Sequence, residues 1–118
     1  MRRGYGTDPA TAANRAAILA WAQHAREHSY RLVFLLFPQK AAFNDPEFFA
    51  SVRNWLDGAG VEHLDFAQLF AREKVRREEL YWDDNGHWHS EGNRVVGRLL
   101  ATRYPQHPAP ARTEPTPR

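Results

Sequence analysis

The sequence predicts an α/β protein, part of a three-layer α/β/α arrangement with two parallel strands and three main helices. Three observations carry this. Amphipathic helical stretches alternate with short apolar ones in the order helix, strand, helix, strand. One apolar stretch, Leu32-Val33-Phe34-Leu35-Leu36-Phe37, is continuous rather than alternating, which suits a strand covered on both faces of a parallel sheet. Capping residues, prolines and glycines then bracket the helices in between.

The first helix is expected to start at Asp8-Pro9, the Asp accepting from early amides and the proline preset for the first turn. Ile18, Trp21, Ala22 and Ala25 make one apolar stripe along it, while Arg15, Gln23 and Arg26 face water, and it ends near Ser29. The apolar strand follows and is closed by Pro38. Asn44-Asp45-Pro46-Glu47 repeats the cap-then-proline signal, and Phe49, Val52, Trp55 and Leu56 form a second stripe that stops at Gly58 and Gly60.

Val61 to Phe66 reads as a shorter strand, Ala67 to Arg72 as a turn of helix, and Glu73 to Glu79 as a charged, mobile segment. A last helix runs from about Glu91 to Arg103, with Val95, Val96, Leu99 and Leu100 buried and His89 or Ser90 as its cap. Residues 1–8 and the Pro-rich 105–118 are expected to be disordered, leaving one small domain over 9–104. Leu32 to Phe37 needs neighbours on both edges and helices on both faces, and the chain provides only one further strand, so several strands of the sheet are expected to be missing.

Composition excludes several classes of function. The absence of cysteine removes disulfides, zinc-thiolate sites and cysteine nucleophiles. The formal charge of +2 is spread out, and Glu73, Glu78 and Glu79 interrupt the basic run of Arg72, Lys74, Arg76 and Arg77, so no nucleic-acid surface is expected. No apolar stretch is long enough to span a bilayer, and no signal-peptide pattern follows Met1, which leaves the compartment open.

The chemistry concentrates in Tyr81-Trp82-Asp83-Asp84-Asn85-Gly86-His87-Trp88-His89-Ser90-Glu91-Gly92-Asn93. Asp84 lies three residues before His87 in a glycine-containing loop, close enough for the carboxylate to hold one ring nitrogen while the other points outward. That is the orienting half of a nucleophile-base-acid triad, and a histidine suits general-base work at neutral pH. The loop falls after the last strand and before the last helix, and open parallel sheets carry their sites at the carboxyl ends of strands.

This block, Tyr81 to Leu100, resembles the last conserved block of the SGNH (GDSL-type) hydrolases: an Asp, a His two or three residues on, a Trp or Pro, then a glycine starting the final helix. The upstream layout is similar, with a helix, an apolar strand ending in Pro38-Gln39-Lys40, a second helix and a short strand ending in Leu64-Asp65-Phe66. The ordering looks most like the branch related to carbohydrate O-acetyltransferases and esterases.

The resemblance implies a flavodoxin-like fold and a serine esterase or O-acyltransferase. His87 would be the base and Asp84 its partner, with Asp83 a second candidate for that role; Trp88 and Trp82 would flank a carbohydrate or other small ester substrate. No cofactor is implied. The family's nucleophilic serine, in its Gly-Asp-Ser setting, is not in this sequence: Ser29, Ser51 and Ser90 fall at a helix end, inside a helix and at a cap. The isolated chain is therefore expected to be inactive, its serine lying in sequence upstream.

Two other readings stay open. Asp84, His87 and His89 together could ligate a metal ion, with His24, His28 or His63 joining them, although the helical histidines also suit plain polar-face positions. Alternatively the chain is a non-catalytic assembly module that self-associates through an exposed sheet edge.

Overall fold

The structure, a computed structural model, describes residues 9–105. The expectations for residues 1–8, the Asp8 cap among them, and for residues 106–118 lie outside the described residues. The chain divides after Val75 into two compact units.

The first unit is mixed α/β. It contains α1 (Pro9–Glu27), β1 (Phe34–Leu36), a 3-10 turn at Lys40–Ala42, α2 (Ala50–Gly58), β2 (His63–Asp65) and α3 (Phe66–Arg72). β1 and β2 pair in parallel, Phe34 opposite His63, Leu35 opposite Leu64 and Leu36 opposite Asp65. Each strand is half the length that its apolar run suggested. A strand extends only as far as its partner, and β2 is consumed from both ends: Val61 N–H turns back to the Leu56 carbonyl (2.9 Å), and Asp65 turns away to cap α3.

Two groups of apolar side chains cover the sheet. Phe34 and Leu36 pack with Ile18, Ala22, Val52, Trp55, Leu56 and Val61. Aromatic rings make the other group: Phe37 meets Phe66 (4.4 Å between centroids), Phe66 meets Phe70 (5.5 Å), and Phe70 meets Phe43 (5.6 Å). Phe66 and Phe70 are fully buried. Leu35, by strand alternation, points away from Phe34 and Leu36 and keeps 36% of its surface in water, so β1 is not covered on both faces.

Three local expectations need correction. Trp21 is 55% exposed and meets the core only edge-on, at Phe34, while Arg15, expected to face water, lays its guanidinium over the Trp55 ring at 5.8 Å. α2 starts at Ala50 rather than at Pro46, because Asp45 Oδ1 accepts from Glu47 N–H (3.1 Å) to close a local turn and i to i+3 bonds then carry the chain to Ala50. Glu73 to Glu79, expected to be mobile, ends in a 3-10 turn at Arg77–Glu79, pinned where Glu79 Oε1 accepts from Arg76 N–H (2.7 Å).

A polar cluster closes the end of β2. Asp65 Oδ1 accepts from Ala67 N–H (2.8 Å) and Gln68 N–H (3.3 Å), satisfying the first amides of α3. Arg53 Nε lies 2.9 Å from Asp65 Oδ2 without aiming its N–H at it, so this contact is an ion pair rather than a hydrogen bond. Glu47 then accepts from Arg53 (3.0 Å) and from Gln68 (2.8 Å). Asp65→Ala is expected to lower unfolding free energy by about 2–3 kcal/mol, from the lost cap and the stranded Arg53 charge, measured by urea unfolding.

Burial pushes the Asp65 carboxyl up, more than its amide donors and Arg53 pull it down. A proton held more tightly in the folded chain stabilises it below the ordinary carboxylate range, and that contribution is lost as pH rises through the raised value. Asp65→Asn should flatten the stability curve in that acid window.

The second unit holds the Arg77–Glu79 turn, a tight hairpin and α4 (Ser90–Arg103), whose buried face is Gly92, Val95 and Val96. Among the described residues, no helix is long and apolar enough to cross a membrane.

Candidate functional site

The loop that carries His87 is the tip of that hairpin. Tyr81 and Trp88 form an antiparallel bridge, with Trp82 N–H donating to the His87 carbonyl (3.1 Å) and His89 N–H to the Leu80 carbonyl (2.9 Å). Side chains reinforce the bridge, since the Trp88 indole N–H donates to the Tyr81 hydroxyl. Tyr81 is buried, and desolvation raises its phenol above the ordinary value although the Trp88 bond pulls the other way. Residues 83–86 are thereby confined to a short exposed loop.

Asn85, not Asp84, faces the His87 ring. Its Oδ1 accepts from His87 backbone N–H (2.8 Å) and lies 3.3 Å from His87 Nδ1, while its Nδ2 donates to Asp84 Oδ1 (3.1 Å). These contacts fix the amide orientation. A backbone N–H can only meet the oxygen, and a carboxylate can only meet the NH2. The oxygen presented to Nδ1 must then be met by a proton, which leaves the Nε2 lone pair pointing outward. The expected direct bond from Asp84 to His87 is replaced by a two-step chain, Asp84 to Asn85 to His87. Asp83 and Asp84 are both exposed.

The flanking residues have settled roles. His89 is the cap of α4: Nδ1 accepts from Gly92 N–H (3.1 Å), so the ring proton is on Nε2, 3.0 Å from the Glu78 carbonyl. Both nitrogens are occupied, and among the described residues no three His, Asp or Glu side chains converge to hold a metal ion, so the structure does not assemble an Asp84, His87 and His89 site. His63 is also engaged, with Nδ1 2.9 Å from the Val61 carbonyl and Nε2 3.6 Å from Asp57. Trp88 is half-buried in the hairpin, whereas Trp82 is 53% exposed, its ring edge-on to His89 at 5.4 Å. Of the two, Trp82 offers the open aromatic surface.

Among the serines, Ser51 lies within α2, Ser90 is the first residue of α4, and Ser29 follows α1 with φ of 56°. None stands on the sharp strand-to-helix turn that exposes a nucleophile. The residue missed from sequence is Asn85. The signal was its place two before the histidine, one of the two spacings the resembled block allows; a preference for carboxylates passed over it. Comparison of the chain with family models, with curated proteins and with solved structures finds no match.

Proposed function

We propose that this chain supplies the general base of an SGNH-like acyl-transfer site, part of a serine esterase or O-acyltransferase acting on small or carbohydrate esters. The observation that carries the reading is the exposed His87 ring with Asn85 Oδ1 at Nδ1 and Nε2 left outward. In the reaction, Nε2 takes the proton from a serine hydroxyl as the oxygen attacks the ester carbonyl. It returns that proton to the leaving alcohol, and the acyl-serine passes to water or a sugar hydroxyl in the same two proton movements. Asn85 keeps the ring proton on Nδ1 throughout, and Asp84 keeps Asn85 from flipping. Trp82 provides an apolar wall beside the loop.

The nucleophile is assigned to sequence outside these 118 residues. Two measurements test the reading. The purified chain, assayed with p-nitrophenyl acetate, is expected to show only the slow turnover of free imidazole, unchanged beyond one histidine's share by His87→Ala. The DNA immediately upstream is expected to encode, in frame, an apolar strand followed by Gly-Asp-Ser. Saturable, His87-dependent turnover by the isolated chain would place the nucleophile within it and overturn this account.

A further inference from the structure

A partly open cavity of about 320 Å³ lies within the first unit, between α1, α2 and one face of the sheet. Asn14 and Ile18 of α1, Phe34 and Leu36 of β1, and Val52 and Leu56 of α2 line it, and none of these side chains is charged. Small-molecule sites begin at about this size and share this apolar character. A cavity of about 150 Å³ lined by Leu, Ile and Phe stays dry and takes benzene, so this one has room for a hydrocarbon roughly twice as large.

Beside it stands a cation without a counter-ion. Arg15 sits on α1 between Asn14 and Ile18, and its guanidinium crosses to lie 5.8 Å from the centre of the Trp55 ring on α2. The residue is half-buried, its Nε is closed off from water, and among the described residues its N–H groups meet no acceptor. Arg53 Nε and Asp65 Oδ2 are also buried without a hydrogen bond, but they lie 2.9 Å apart and neutralise each other. Arg15 has no such compensation, and a partly desolvated guanidinium is matched best by the two oxygens of a carboxylate.

We propose that the cavity and Arg15 together bind an unbranched monocarboxylate of about eight to ten carbons, its chain among Ile18, Leu36 and Val52 and its carboxylate on the terminal nitrogens of Arg15. The apolar walls supply the affinity by removing methylene groups from water, and the charge selects an acid over a neutral hydrocarbon of the same length. Cavity and arginine both belong to the first unit, so the inference does not rest on the His87 reading.

The test titrates decanoate, octanoate, hexanoate and acetate into the full-length chain by calorimetry at neutral pH. Decanoate is expected to bind saturably at one site, each two-carbon shortening should weaken binding about tenfold, and acetate should not bind. R15Q should weaken decanoate and octanoate about tenfold and leave 1-octanol, which lacks the charge, unchanged. V52F, which fills the cavity, should abolish binding of acid and alcohol alike, with circular dichroism checking that both variants stay folded. In the unaltered chain, NMR contacts from the decanoate chain to the Ile18, Leu36 and Val52 methyls locate it directly. Equal affinity across the chain-length series, decanoate binding indifferent to R15Q, or NMR contacts to other methyls overturns the proposal, as does the absence of saturable binding.

Discussion

On the proposed acyl-transfer reading, His87→Ala in a chain extended to include the proposed nucleophile is expected to lower kcat for p-nitrophenyl acetate about ten-thousandfold, because such a site without its base keeps only binding and oxyanion stabilisation. The informative comparison is with the two residues behind it. Asn85→Ala removes the acceptor at Nδ1 and lets the ring proton move to Nε2, the tautomer that cannot take a proton from serine; an outer-shell loss of this kind costs about 10–100-fold. Asp84→Ala leaves Asn85 in place but frees its amide to flip, so its effect should be the smallest of the three. If instead Asp84→Ala matches His87→Ala while Asn85→Ala is silent, then Asp84 reaches the ring directly in the extended chain. KM should change little in all three, since none of these atoms is assigned to substrate binding.

Gly92→Ala is expected to destabilise the second unit by about 2–4 kcal/mol, although alanine is ordinarily the better helix former by about 1 kcal/mol. The sign is decided by Leu80. A Cβ on Gly92 would fall on the Leu80 carbonyl oxygen and lie 2.9 Å from Leu80 Cα. These are backbone atoms of a fully buried residue, so no side chain can swing aside. That carbonyl also accepts from His89 N–H, and His89 in turn caps Gly92, so relieving the clash loosens the hairpin and the start of α4 together. Gly97, in the same helix with open space around its Cα, is the control: Gly97→Ala should stabilise by roughly 0.5–1 kcal/mol. Urea unfolding followed by helix circular dichroism measures both.

The order of elements in the first unit was legible because it rests on local signals. The apolar stripes, the glycines after α2 and the run at Leu32 to Phe37 each report a period or a breaker that acts within a few residues. Strand length was not legible, since it is set by which backbone groups the partner leaves unpaired. Arg15 and Trp21 exchanged their expected places for a related reason: pattern assigns a side chain to a face by polarity, yet an arginine stem can cover an aromatic ring and a tryptophan can reach the core with one edge.

At the candidate site the loop that carries the histidine was legible and the residue facing its ring was not. Sequence reasoning ranked oxygens by charge and chose Asp84, whereas the loop ranks them by reach. With Trp82 and His87 joined across its base, the oxygen two residues before the histidine arrives first, and it belongs to an amide.

The hairpin also makes the His87 arrangement portable. The hydrogen bonds described above that orient the ring or anchor its loop join residues no more than eleven positions apart, as from Glu78 to His89. Short-range contacts of this kind form quickly and lose little chain entropy on closure. Residues 76–103 are therefore a natural cassette for transplantation: spliced onto an unrelated scaffold at its two ends, they should carry an imidazole whose tautomer is already chosen.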